Sequence, residues 1–255
     1  MILKTAKKWP SILGITQGGA KFDKLSSYST SLSGINLSYQ LPESVLGEYS
    51  LILPPENLEL ASIDWEEGEK SATQFFKAFR ISRNTWWYWG NFFKSLFEPI
   101  GNIRMEWQVS KIDPKYNIEI NDSQSVLAYL KAYIYDLYEG KNGINEEIRK
   151  HCYDFYVKNG SYPAEHYKDE IAEMVQRKSK KIPDNFKMKN IHNVNWVSFS
   201  VDNSDPIYFH ITSLNDNYLI INLAKLSSDF QETQYRWFNE AIQIIDFVMS
   251  SVKLE

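Results

Sequence analysis

Four histidines and one cysteine are the side chains of this chain best suited to proton transfer, metal ligation or nucleophilic attack. Their spacing argues against each of these roles. His151 stands one helical turn after Glu147, and His166 one turn before Glu170. Neither spacing is the Glu-x-x-His of a di-iron helix or the His-Glu-x-x-His of a zinc site. Ion-paired surface histidines are the expectation for both. His192 falls in a linker. His210 falls in a strand on the face opposite Phe209, which predicts a solvent-facing ring. Cys152 lies on the apolar side of a helix and is expected to be packed, not nucleophilic. Glu66-Glu67, Glu146-Glu147 and Asp169-Glu170 are adjacent in sequence, and adjacent residues on a helix do not face each other. They are not acid/base pairs by spacing.

The segment Gly14–Lys21, GITQGGAK, approaches a phosphate-cradling loop. Ala20 separates Gly19 from Lys21, and Phe22 stands where a magnesium-binding hydroxyl is needed, so the backbone cradle and the metal ligand both fail. No Gly-x-Ser-x-Gly elbow occurs. The sequence predicts no catalytic residue, no metal and no cofactor.

Two other features point to binding. From Glu43 to Glu69 every charged residue is acidic. Such a run is a solvated edge that feeds the start of a helix, or a docking face for a basic partner. From Phe75 to Phe97 the chain is dense in aromatic residues, including Trp86, Trp87, Tyr88 and Trp89. Each such ring buries roughly 150–250 Å² when covered. Glu56, Glu59, Asp64, Glu66, Glu67, Trp87 and Tyr88 are therefore the expected partner-binding residues.

These residues need elements to hold them. Ala72, Phe75, Phe76 and Phe79 recur at helical spacing, predicting a helix over 70–80. Asn84 or Thr85 would cap a second helix carrying Trp86, Trp89, Phe93, Leu96 and Phe97, closed by Pro99 and Gly101. Residues 1–34 are Ser- and Gly-rich and read as an irregular lead-in. Ile35, Leu37 and Tyr39 alternate as a strand stopped by Pro42. Ile103–Val109 and Tyr116–Ile120 alternate as a hairpin around Asp113-Pro114. Three helices follow: from Asp122 or Ser123 to Gly140, from about Asn145 to Lys158 with Ile148, Cys152, Phe155 and Tyr156 inward, and from near Pro163 to a basic end at Arg177–Lys181. Val194–Val201, Ile207–Thr212 and Tyr218–Leu223 read as strands, and a last amphipathic helix runs to about Val252.

Strands, then helices, then strands and a helix predict an α+β fold with antiparallel sheets and a C-terminal hairpin feeding a long helix. Residues 35–255 are expected to form a single domain, with a subdivision near 183–193 as the alternative. The chain has 255 residues, 43% of them hydrophobic, enough for a core. A net charge of −4 speaks against nucleic acid as the main partner. One cysteine excludes an internal disulfide. No apolar run has the length of a membrane span. A cytoplasmic location is expected, with a mature exported form as the alternative. The reading is a non-enzymatic protein-binding protein of inhibitor or immunity type. The alternatives are a hydrolase with scattered residues and a carbohydrate-binding protein using exposed Trp and Tyr.

Overall fold

The computed structural model describes residues 16–45, 51–65, 76–90, 99–120, 122–201, 205–228 and 236–255. In chain order the strands are β1 (Thr16–Gly18), β2 (Ala20–Leu32), β3 (Ile35–Ser44), β4 (Asn57–Leu58), β5 (Ala78–Gly90) and β6 (Gly101–Lys111). Three helices follow, α1 (Ser123–Glu139), α2 (Ile144–Asn159) and α3 (Lys168–Lys178). The chain then returns to strands β7 (Lys187–Ile191), β8 (Val194–Val201), β9 (Ile207–Asn215) and β10 (Tyr218–Ser228). Helix α4 (Arg236–Ser251) and the short β11 (Lys253–Leu254) complete it. This is an α+β fold, with the long C-terminal helix following the strand hairpin.

A seven-stranded antiparallel sheet in the order β1-β5-β6-β10-β9-β8-β7 is the centre of the molecule. A four-stranded sheet, β11-β3-β2-β4, packs beside it. Both faces of the large sheet are covered. On one, Ile103, Met105, Trp107 and Ile220 pack against Trp237, Ala241, Ile244 and Val248 of α4 and against Leu32, Leu37 and Tyr39 of the small sheet. On the other, Val197, Phe209, Ile211 and Ile221 meet Val126, Leu130 and Ile134 of α1. A strand covered on both sides loses its alternation, and Leu219 through Ala224 of β10 are all buried.

Local chemistry sets the turns and caps. Ser33 and Gly34 both have positive φ, the geometry that a two-residue hairpin between β2 and β3 requires. The Asp122 carboxylate accepts the Ser125 N–H at 2.8 Å, closing a capping box at the start of α1. The ring of Trp237 lies so close to Gly101 that a Cβ there would sit 2.5 Å from it.

Several sequence expectations are corrected. Residues 78–90 form a strand, not part of two helices. Trp86 and Tyr88 are fully buried while Trp87 and Trp89 are half-buried, a period of two. Thr, Trp and Tyr in succession suit a pleated surface. An irregularity between Arg80 and Ser82 shifts the phase and disguises the alternation of the strand as a whole. The remainder of the two expected helices, 70–75 and 91–98, lies outside the described residues.

The expected strand at 116–120 does not form. Pro114–Tyr116 is a 3-10 turn and Asn117 is left-handed. Strand β6 is already flanked by β5 and β10, so it has no edge left for a hairpin partner. In the expected lead-in, β1 and the 13-residue β2 are strands. Strand β3 runs through Pro42, which pairs with Leu25 at a break in register, where a proline is tolerated in a sheet. Its carbonyl accepts the Trp86 indole N–H at 2.9 Å.

Candidate functional site

The residues expected to bind a partner are not brought together. Glu56, Glu59 and Asp64 are exposed. Glu66 and Glu67 lie outside the described residues. The Glu56 carbonyl accepts the Ser31 N–H, and the Glu59 carboxylate accepts the Ser33 hydroxyl at 3.3 Å. These acids therefore mark the tip of the β2–β3 hairpin. Trp87 is tied to the opposite end of β2, where its carbonyl accepts the Gly19 N–H at 2.8 Å. Between them runs β2, on the order of 40 Å of extended chain. Tyr88 is corrected outright. It is fully buried with its ring 5.2 Å from that of Trp237, and burial pushes its hydroxyl well above the usual phenol range.

Several large exposed apolar side chains stand elsewhere, near the end of α2. Tyr153 and Phe155 are each 45% exposed, Val157 55% and Tyr162 66%. All four lie on α2 or the turn after it. Phe155 was expected inward. Only Asn145 and Cys152 of α2 are fully buried, and no residue of α3 is. The two helices form an arm that packs mainly through α1. Polar ties fix it. Asn145 donates its amide to the Lys180 carbonyl at 2.9 Å and accepts the Lys180 N–H at 2.7 Å. Tyr156 stacks on Tyr167 at 4.9 Å, and the Tyr167 hydroxyl accepts the Ser161 N–H. The exposed side chains are thus carried on a pinned helix end. Of the two helix histidines, neither forms its expected ion pair among the described residues; His166 packs against Tyr162 at 5.7 Å.

A second feature lies under α4. A pocket of about 280 Å³ opens between β7, β8, β9 and α4, lined among others by Lys187, Lys189, Ser198, His210, Ile242 and Asp246. His210 is corrected from a solvent-facing ring to one 5% exposed, because α4 covers the face opposite Phe209. Burial, aided by Lys189, pushes its imidazole down to about 3, so the ring is neutral. Strand registers align Ser82, Trp107, Asn222, His210, Ser198 and Lys187 in one row across the sheet. Within this region Nδ1 of His210, both amide atoms of Asn222 and the indole nitrogens of Trp107 and Trp196 have no protein hydrogen-bond partner. Ser198, His210 and Asn222 each alternate with apolar neighbours in their own strands. That alternation was the available signal for a shared polar row.

The large sheet also holds a charge cluster. Glu106, 3% exposed, accepts from Arg83 at 2.7 Å and Gln108 at 2.7 Å, with Arg80 at 3.1 Å. Among the described residues no group of three or more His, Cys, Asp or Glu is gathered as a metal site would need. No described helix is long and apolar enough to cross a membrane. No family model, curated protein or solved structure matches this chain.

Proposed function

We propose that this chain works by binding another protein, in the manner of an inhibitor or immunity protein, and that the arm formed by α2 and α3 carries the contact. The observation that supports this is the exposed pair Tyr153 and Val157, one helical turn apart on the second half of α2, a helix tied at its start by Asn145 and just after its end by Tyr167. Aromatic side chains held rigid at a surface are the usual anchors of protein interfaces, because little conformational freedom is lost when they are covered. The exposed carboxylates Glu56 and Glu59 at the β2–β3 tip form a separate acidic edge that would steer a basic partner.

The test uses the chain as bait in an extract of its native cell, followed by direct binding of the purified captured protein. Tyr153→Ser and Val157→Ser together should weaken binding by about tenfold or more. Glu56→Gln with Glu59→Gln should instead slow association and flatten its salt dependence. A variant changed at Tyr153 and Val157 that binds with unchanged affinity would refute the role of the arm.

A further inference from the structure

The pocket beside α4 has a composition that the protein-binding role does not use. Its rim carries two lysines, Lys187 and Lys189, against one carboxylate, Asp246. Lys189 reaches Asp246 at 3.7 Å, an exposed pair that holds neither group firmly. One wall is apolar, from Tyr208, Ile242 and Ile245. The floor is His210, with Asn222 as its cross-strand neighbour. Neither residue is more than 5% exposed, and the His210 Nδ1 and both Asn222 amide atoms lack protein partners. A buried polar atom without a partner costs about 1–3 kcal/mol, so such atoms in a native sheet call for an explanation.

We propose that this pocket binds a small organic carboxylate that carries a second polar group. Its anionic end lies between Lys187 and Lys189, its body against Tyr208, Ile242 and Ile245, and its second polar group against the His210 imidazole. The neutral ring offers one donor and one acceptor, which suits a hydroxyl or carbonyl oxygen and adds no charge at depth. The apolar wall distinguishes this ligand from a bare inorganic anion, which would leave Ile242 and Ile245 without a contact. The lysines distinguish it from a metal ion, since an ammonium group donates hydrogen bonds and has no lone pair to give.

The probes are 4-hydroxybenzoate and its uncharged counterpart 4-hydroxybenzamide, measured by calorimetry on the full chain, with inorganic phosphate as a third ligand. Expected is saturable binding of 4-hydroxybenzoate, with 4-hydroxybenzamide weaker by about tenfold, the scale of one charge-assisted contact. Lys187→Gln with Lys189→Gln should lose the same factor for the carboxylate and none for the amide. Both lysines are exposed, so this variant should fold, as circular dichroism would verify. Ile242→Trp, which fills the pocket from the rim helix, should abolish binding of both organic probes. No saturable binding at millimolar 4-hydroxybenzoate would overturn the proposal. So would equal affinity for the acid and the amide, or phosphate binding as tightly as the carboxylate.

Discussion

Helices α4 and α3 are both amphipathic, yet they end in different surroundings. In α4 the apolar stripe is buried between the large sheet and β3 of the small one: Trp237, Ala241, Ile244, Ile245 and Val248 are all buried. In α3 the stripe of Ile171, Met174 and Val175 is only half-buried. The difference lies in what each helix faces. Helix α4 lies across a wide sheet backed by a second core, whereas α3 packs on a single helix that is itself half-exposed. Fully burying an aliphatic side chain stabilises by roughly 1.5–3 kcal/mol, and half-burial forgoes a large part of that. The sheet with α4 is therefore the scaffold. The arm is held by a few polar ties and leaves its rings facing out. Deep burial and exposed apolar side chains fall on different parts of one chain.

The largest expected effect contrasts two ion pairs. Glu106 is buried between Arg80 and Arg83, so Glu106→Ala leaves two guanidinium groups without their carboxylate. A loss of about 3–5 kcal/mol is expected in urea unfolding. Where the arm joins α1, Arg149 of α2 and Glu139 of α1 meet at 3.0 Å but are 46% and 31% exposed. Arg149→Ala should cost about 1 kcal/mol or less. Similar losses at the two sites would erase the distinction between scaffold and arm.

A matched truncation sharpens it. Ile244→Ala removes a fully buried side chain and should cost about 2–5 kcal/mol. Ile171→Ala, on half-buried α3, should cost about 1 kcal/mol or less. Both are read as shifts of the unfolding midpoint at constant slope. Equal costs would show that α3 is packed as tightly as α4.

A smaller effect concerns pH. His210 has a folded pKa near 3, below the roughly 6.5 of an unfolded histidine. Between these values the unfolded chain binds the proton and the folded chain does not, so stability rises with pH in that window. The contribution is complete above about pH 6.5 and is lost as pH falls toward 3, at up to about 1.4 kcal/mol per pH unit. Denaturant midpoints of the parent and His210→Gln, compared at pH 7 and pH 4.5, should converge as pH falls. Parallel pH profiles would mean that the folded ring takes up its proton in the same pH range as an unfolded histidine.

How far the sequence revealed this arrangement depended on which repeat dominated locally. Helix α1 was legible from Asp122 to Gly140 because cap, stripe and stop agree. Strands β8, β9 and β10 were legible as extended segments. Strand β5 was not, because the irregularity at Ile81 breaks its two-residue period, while the spacing of Phe76 and Phe79 fits a helix as well as a strand. Strand β2 was hidden by composition: KLSSYSTSL has few apolar residues, since several side chains of this strand face solvent. At the candidate sites, the exposure of Glu56 and Glu59 was legible from charge. The burial of Tyr88 and His210 was not, because each depends on α4, more than 25 residues away in sequence.

The central claim is that the arm contacts the partner while the sheet supports it. Hydrogen exchange of the chain, alone and with the captured protein, tests this most directly, because backbone amides report local opening and its suppression. The account predicts faster exchange in residues 144–178 than in β6 and β10 in the free chain, with protection gained on binding concentrated in 150–167. Protection confined to the strands, or to 51–65 at the acidic edge, would contradict it.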